Sequence, residues 1–471
     1  MAVLSSYIES KLLGKFSFAP TECQKRLFKS ISSFLVEGDT DIMIVNGFAG
    51  TGKSESLGAL VSVMREMDIK YRLMAPTGRA AKVLSVYTGS KAKTIHKQIY
   101  RQKSLSEGVG QFTLDINKLS DAVFIVDEAS LISIDSAGNS IFGSGNLLED
   151  LIEYVRQGNN NRLILVGDNA QLPPVMLDKS PALDYDYMAM FGPVLIENLT
   201  TVVRQIDSSG ILYNATLVRK MIEKESSDVP PQMMVAGFPD VNRIRGGELI
   251  EALEDAYSKY GEEETVVLCR SNKRANRYNG GIRSTILSRE ENLVRGDRLM
   301  VVKNCYQFLE DVPDLDFIAN GDIAELVKIN GYEERYGLHF AKAVLSFPDY
   351  DNIEITAKVI LDTLASETAS LDSEQQKALY EGVYADYDNI KTKRKRNNAV
   401  REDPYYNALQ IKYSAAITCH KSQGGEWKCV FIDNSFYRDE ISLEDLKWLY
   451  TAITRAVEKV YFVNFPDSFF R

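Results

Sequence analysis

Eight consecutive residues constrain this chain more than any others. Gly47-Phe48-Ala49-Gly50-Thr51-Gly52-Lys53-Ser54 fits the pattern GxxxxGK[ST], follows the apolar run Ile42 to Val45, and precedes a helix-compatible stretch. Strand, glycine-rich turn and helix in that order make one unit of a parallel α/β sheet. The glycines matter because a side chain would keep backbone N–H groups from closing around phosphate oxygens. In such a loop Lys53 reaches the β- and γ-phosphates and Ser54 holds Mg²⁺, so ATP and Mg²⁺ are the expected ligands, with Gly50, Thr51 and Gly52 forming the cradle.

Further short apolar runs at Leu73 to Ala75, Val123 to Val126 and Leu163 to Val166 alternate with longer helix-compatible stretches, as a parallel sheet with crossover helices requires. A second series, Thr265 to Leu268, Val430 to Ile432 and Val460 to Val463, predicts a second α/β domain in tandem. That series is interrupted from Asp297 to Pro404, where Arg298 to Val302, Ile323 to Val327 and Ile353 to Ile360 read as strands of a β-rich insert. The insert also holds the helix-prone stretch Ala365 to Leu379 and the basic run Lys391 to Arg396. The basic run reads as a solvated loop, with contact to a DNA backbone as the alternative. Between Gln98 and Leu119, Phe112, Leu114 and Ile116 alternate with polar residues after a loop containing Gly108 and Gly110, which predicts a hairpin. The expected division is 1–97 with 120–205 as the first domain, 98–119 as its hairpin insert, 206–296 with 405–471 as the second domain, and 297–404 as the β-rich insert.

At 45% hydrophobic and 25% charged, the 471 residues have room for roughly two to four domains. No apolar run approaches the roughly 18 residues that cross a bilayer, so a soluble, cytoplasmic protein without a secretory signal is expected. The cysteines (Cys23, Cys269, Cys305, Cys419, Cys429) form no CxxC pair and no Cys/His cluster, which suggests neither a disulfide framework nor a zinc site. The net charge of 55 − 65 = −10 argues against indiscriminate attraction to DNA. A local line of donors and cations is still enough to hold a strand.

Downstream of the loop, the apolar run Ala122 to Val126 ends in Asp127-Glu128-Ala129-Ser130. Two carboxylates therefore stand at the carboxyl end of a buried strand, where ligands of open α/β sheets bind. Asp127 suits Mg²⁺, and Glu128 suits the orientation of an attacking water. Phosphoryl transfer gains from cations placed against charge developing on the phosphates. Arg204 and Arg455 are the candidates, although alone either reads as an ordinary surface arginine.

The ordered series resembles the superfamily-one DNA helicases of the RecD-like, Dda-like and Pif-type group (superfamily 1B). It runs from Gln24 through GFAGTGKS, Ala75-Pro76-Thr77-Gly78-Arg79-Ala80-Ala81, Thr94-Ile95-His96, Val126-Asp127-Glu128-Ala129-Ser130 and Gly167-Asp168-Asn169-Ala170-Gln171-Leu172-Pro173-Pro174. It ends with Arg204-Gln205, Thr418-Cys419-His420-Lys421-Ser422-Gln423-Gly424-Gly425-Glu426-Trp427 and Tyr450-Thr451-Ala452-Ile453-Thr454-Arg455-Ala456. The resemblance implies two RecA-like motor domains with a pin-like hairpin insert and an SH3-like β-rich insert. It implies that Gln24 reads the adenine, that Gln171 couples the γ-phosphate to the DNA site, and that Arg204 and Arg455 reach the γ-phosphate from either side of an interdomain cleft. Gly424 joins the nucleotide-binding set. Pro76, Thr77, Gly78, His96, Thr418, His420, Ser422 and Gln423 would line the DNA groove, with Phe112 as a wedge between strands. The implied activity is ATP-dependent movement from five-prime to three-prime on single-stranded DNA and unwinding of forked duplex DNA. Replication or repair proteins are the implied partners.

Two other classes share parts of the pattern. A phosphate-loop kinase for a small molecule would carry GxxxxGK[ST] and an acidic strand end, but has no use for the Gln171 motif. A non-enzymatic DNA-binding or loader module would keep nucleotide as a structural ligand and would not need Glu128. A translocase that displaces proteins without opening duplexes is the third alternative.

Overall fold

The computed structural model describes every residue except 1, 17, 103–111, 135–141, 203–208, 226–228, 306, 310–311, 313–316 and 437–439. Its first half forms β1 (Ile42–Gly47), β2 (Lys70–Ala75), β3 (Ala92–Thr94), β4 (Tyr100–Gln102), β5 (Phe112–Leu114), β6 (Ala122–Val126), β7 (Arg162–Gly167) and β8 (Val194–Leu199). Six of these make one parallel sheet in the order β3-β2-β6-β7-β1-β8. Alternate strand residues point to opposite faces. Met43, Val45 and Ile125 meet the helices Glu22–Val36 and Lys53–Glu66, whereas Ile42, Ile44 and Phe124 meet the helix Leu147–Arg156. Both faces are covered, which is why β1, β6 and β7 are almost continuously apolar. The hairpin is β4 paired antiparallel with β5, and the loop bearing Gly108 and Gly110 lies outside the described residues.

The second half forms β9 (Val241–Ile244), β10 (Thr265–Cys269), β11 (Arg298–Val301), β12 (Ile323–Arg335), β13 (Leu338–Phe347), β14 (Ile353–Ile360), β15 (Leu409–Tyr413), β16 (Ala416–Thr418), β17 (Trp427–Asp433) and β18 (Ala456–Val463). A second parallel sheet runs β16-β10-β17-β18-β9, and β11 to β15 close into a barrel. Two RecA-like sheets, a small hairpin and a β-rich insert are the architecture expected. β15 lies beyond residue 404, the expected end of the insert, because it pairs with both β11 and β14 and completes the barrel.

The insert's connections differ in detail from expectation. Ala365 to Leu379 is split between the short helix Asp362–Ala365 and the helix Ser373–Asp386, whose start is set by a capping box between Asp372 and Gln375. The basic run opens the helix Lys393–Glu402 instead of forming a loop. Lys and Arg are good helix formers, Val400 is buried, and the Arg396 guanidinium stacks 3.9 Å from the Tyr384 ring.

The two lobes are packed against each other. Ala170, Leu172, Phe48 and Ala49 of the first share one apolar cluster with Leu449, Tyr450 and Ile453 of the second. Among the described residues no helix is long and apolar enough to cross a membrane.

Candidate nucleotide site and strand groove

The loop between β1 and the helix Lys53–Glu66 takes its shape from two left-handed glycines, Gly50 (φ 75°) and Gly52 (φ 84°). At Gly50 a Cβ would also strike Leu212 of the helix Gly210–Glu223, so glycine is required there on both counts. The loop leads into a helix N-terminus, whose unpaired N–H groups and positive pole suit phosphate. Lys53 Nζ folds back over the loop and donates to the Gly47 carbonyl at 2.5 Å and the Phe48 carbonyl at 3.2 Å. Thr51 is fully buried, and its hydroxyl donates to the Phe48 carbonyl at 2.8 Å, bracing the loop from inside. Its side chain is therefore structural. Gln24 is also buried; its Oε1 accepts from Thr21 N–H at 2.9 Å and its Nε2 donates to the Thr51 carbonyl at 3.1 Å. Gln24 thus ties the preceding helix to the loop and retains one amide N–H and one lone pair for a base.

Beside the loop lies a cleft of about 320 Å³, lined by Lys53, Ser54, Asp127, Glu128, Gln171 and Arg455. Asp127 stands at the end of β6, where Tyr87 donates its hydroxyl to Oδ2 at 2.5 Å and Glu128 N–H donates to Oδ1 at 2.9 Å. Glu128 takes a left-handed backbone, φ 53°, that swings it out of line with the strand. Burial raises the pKa of both carboxyls, and for Glu128 the nearby Arg455 cation opposes that rise. Mg²⁺ usually takes one or two carboxylates plus substrate phosphates. Ser54 and Asp127, which both line the cleft, supply a hydroxyl and a carboxyl group of the kinds that requirement calls for.

Arg455 comes from the other lobe and is 3% exposed. Its Nε donates to the Thr451 carbonyl at 3.2 Å, one Nη to the Gly425 carbonyl at 3.1 Å, and the other to Thr454 Oγ1 at 3.3 Å. The guanidinium is held in place before any ligand arrives. Gln171 sits on the turn after β7, and its buried Oε1 has no hydrogen-bond partner among the described residues. A buried acceptor left open at the wall of a cleft marks a place for a ligand or water. Arg204, the second expected cation, lies outside the described residues. Gly424 does not line the cleft. It packs across the lobes against Thr77 and Ala80, where a Cβ would come within 3.0 Å of Thr77 Oγ1.

The expected strand-groove residues divide into two sets. Pro76, Thr77, His96, Thr418 and His420 are partly exposed. Thr77 Oγ1 also caps the helix Gly78–Thr88 by accepting from Ala80 N–H at 3.2 Å. The His96 ring lies 4.8 Å from that of Phe142, and burial lowers its pKa to about 4. Burial also lowers the pKa of His420. A neutral imidazole offers a hydrogen bond to phosphate and no positive charge.

The remaining positions require correction. Ser422 is fully buried and donates its hydroxyl to the Cys419 carbonyl at 2.7 Å, closing a tight turn. Gln423 Nε2 donates to the Leu172 carbonyl at 2.7 Å and so straps the lobes together. Gly78 is covered by Tyr350 and Asp322 of the barrel. Phe112 is 5% exposed and packs against Phe142 and Phe317, ring centroids 4.8 Å and 6.4 Å away. A side chain so enclosed anchors the base of the hairpin and is no wedge.

Several residues that shape the cleft or join the lobes carry little signal in the sequence. Arg79 stacks 3.9 Å from the Trp427 ring and donates to the Glu426 carbonyl at 2.5 Å. Tyr87 holds Asp127 although 40 residues precede it. Tyr450 joins the lobes five residues before Arg455, and its place inside that motif was the available clue.

Residues 24–221 match the family model of an AAA domain, and residues 413–463 match that of a UvrD-like helicase C-terminal domain. The uncharacterized protein MJ1519 of Methanocaldococcus jannaschii is 25% identical over 470 residues, covering 89% of this chain and 36% of that protein. The ATP-dependent RecD2 DNA helicase of Deinococcus radiodurans is 30% identical over 200 residues, covering 42% of this chain and 24% of that protein. The chain thus spans about a third of the first relative's length and about a quarter of the second's. The crystal structure of Pif1 helicase from Bacteroides in complex with ADP-AlF3 and ssDNA is 14% identical, with 97% of this chain and 95% of that chain covered at a TM-score of 0.45.

Proposed function

We propose that this chain, whose two family matches bear out its resemblance to the superfamily 1B helicases, is an ATP-dependent DNA motor that moves five-prime to three-prime along a single strand and opens duplexes ahead of it. One observation carries the reading. Lys53 and Glu128 of the first lobe face the same cleft as Arg455 of the second, so hydrolysis at that cleft depends on how the lobes sit together. Lys53 leaves its two carbonyl partners to meet the β- and γ-phosphates, and the loop N–H groups hold the rest of the triphosphate. Ser54 and Asp127 would hold Mg²⁺, which when bound offsets phosphate charge. Glu128 orients the attacking water, and Arg455 meets charge that develops on the γ-phosphate. Gln171, with its open Oε1, registers the same end of the nucleotide from the turn that Gln423 straps to the second lobe at Leu172. Loss of the γ-phosphate loosens that contact, and repeated closing and opening ratchets the lobes along a strand held by Pro76, Thr77, His96, Thr418 and His420.

The enclosed position of Phe112 favours one further reading, a translocase that displaces bound proteins without separating strands. A forked duplex with a single five-prime or three-prime tail tests both. Unwinding of the five-prime-tailed substrate alone supports the full proposal. Unwinding of the three-prime-tailed one reverses the polarity, and ATP-driven removal of a strand-bound protein without unwinding of either selects the translocase. An intracellular place alongside DNA follows from either reading.

A further inference from the structure

Tyr450 has no part in the mechanism above, yet its hydroxyl touches two of its components and its helix leads toward a third. It lies on the helix Leu443–Ile453 of the second lobe and is 1% exposed. Its hydroxyl donates to Asp168 Oδ2 at 2.7 Å and accepts from Ala49 N–H, in the middle of the phosphate loop, at 2.9 Å. Burial and the adjoining Asp168 carboxylate hold its pKa well above the usual tyrosine value, so the proton stays on the hydroxyl and the sense of both bonds is fixed. The other Asp168 oxygen accepts from Ala170 N–H at 2.9 Å, and the Asp168 carbonyl accepts from Gln171 N–H at 3.2 Å. Asp168 therefore shapes the turn that presents Gln171. The same helix ends at Ile453, two residues before Arg455.

A phenylalanine would fill this apolar space with the same ring. Burying a hydroxyl is costly unless it is paired, and here it is paired twice, with the buried Asp168 carboxylate and with the half-buried Ala49 N–H. The hydroxyl meets both the phosphate loop and the Gln171 turn while riding on a helix that ends at Ile453, two residues before Arg455. We infer that Tyr450 is a positioning residue that locks these three parts into one register, so that a shift of the phosphate loop moves the Gln171 turn and Arg455 with it. This rests on the cleft being the site of ATP hydrolysis.

The test is steady-state ATP hydrolysis by the full chain, with and without a saturating single-stranded oligodeoxynucleotide, for the parent, Tyr450→Phe, Asp168→Asn and the double variant. Tyr450→Phe keeps the ring and its packing. The expected result is a fall of about tenfold or more in kcat with DNA present and a change of less than about threefold in KM for ATP, since binding groups are untouched. The double variant should lose little beyond the worse single variant, because both substitutions break one connection. Tyr450→Phe with parent kcat and KM overturns the inference, and so does a loss confined to KM or strictly additive losses in the double variant. If Tyr450→Phe does not fold, Asp168→Asn alone decides by the same split between kcat and KM. A parent that turns over no ATP removes the reading of the cleft and this inference with it, whereas a parent with DNA-stimulated turnover and an unaffected Tyr450→Phe removes the inference alone.

Discussion

Replacing Arg455 with lysine separates charge from geometry at the lobe interface. A guanidinium has five N–H donors; three hydrogen bonds, to Thr451, Gly425 and Thr454, engage three of them and leave two for a ligand. Lysine keeps the positive charge but cannot reproduce the planar fork or those anchors. One preorganised donor aimed at developing charge is worth about 10²–10³ in kcat, and a complete arginine finger about 10³–10⁵. With two donors on a pinned group, Arg455→Lys should lower kcat by at least about 10³, or about 4 kcal/mol of barrier. Binding of ATP, dominated by the phosphate loop, should weaken less than about tenfold. The Gly425 or Thr451 carbonyl left without its donor costs about 1–3 kcal/mol of stability, which a thermal melt would register as a modest shift with cooperativity retained. The assay is ATP hydrolysis at saturating ATP and single-stranded DNA, alongside equilibrium titration with a fluorescent ATP analogue. A kcat within about threefold of the parent's would show that Arg455 does not act on the transition state.

Lys53→Ala should abolish hydrolysis, checked by phosphate release. Glu128→Gln should leave nucleotide binding intact while lowering turnover by about 10²–10⁴, the range for a lost proton-handling group; normal turnover would remove Glu128 from that role. Phe112→Ala should destabilise the first lobe by about 3–5 kcal/mol, as for a large aromatic removed from a core, with unwinding and ATP hydrolysis falling together. A selective loss of unwinding at unchanged stability would restore Phe112 as a wedge. Burial pushes Asp322 up to about 7 against a usual 3.8, so its proton is retained on folding. The unfolded chain gives that proton up first, and the stability contributed by this group is therefore present below about pH 4 and lost as pH rises toward 7. Asp322→Asn, which stays neutral, should gain stability relative to the parent across that window in denaturant titrations, and a gap independent of pH would reject the assignment.

The parallel sheets were legible because buried strands leave a plain trace: Ile42 to Val45 and Val123 to Val126 are apolar on both faces and end in chemistry-bearing loops. The cleft's own residues were legible for the same reason, since Lys53, Asp127 and Glu128 sit at strand ends in fixed spacing. Gln171 and Arg455 came only from the ordered resemblance, because a lone Gln or Arg has no periodic signature. Contacts that depend on how the lobes meet were not legible. Tyr450 to Ala49, Gln423 to Leu172 and Gly424 to Thr77 join residues hundreds of positions apart. Three of those partners, Gln423, Gly424 and Thr77, read in sequence as nucleotide or DNA contacts because their motifs are rich in groups that suit either use. Phe112 misled through alternation, which predicts a hairpin without saying which face meets the core. The place of β15 is not legible because a strand that closes a barrel looks, in sequence, like one that opens a sheet.

The shared cleft is tested most directly by the rate of ATP hydrolysis measured with no nucleic acid, with a single-stranded oligodeoxynucleotide, and with a blunt duplex. If the strand sets the distance between Lys53 and Arg455, the single-stranded oligonucleotide should raise kcat by at least about tenfold and the blunt duplex should do far less. Equal rates in all three conditions would mean that the two lobes do not answer to a strand, and the motor account would be wrong.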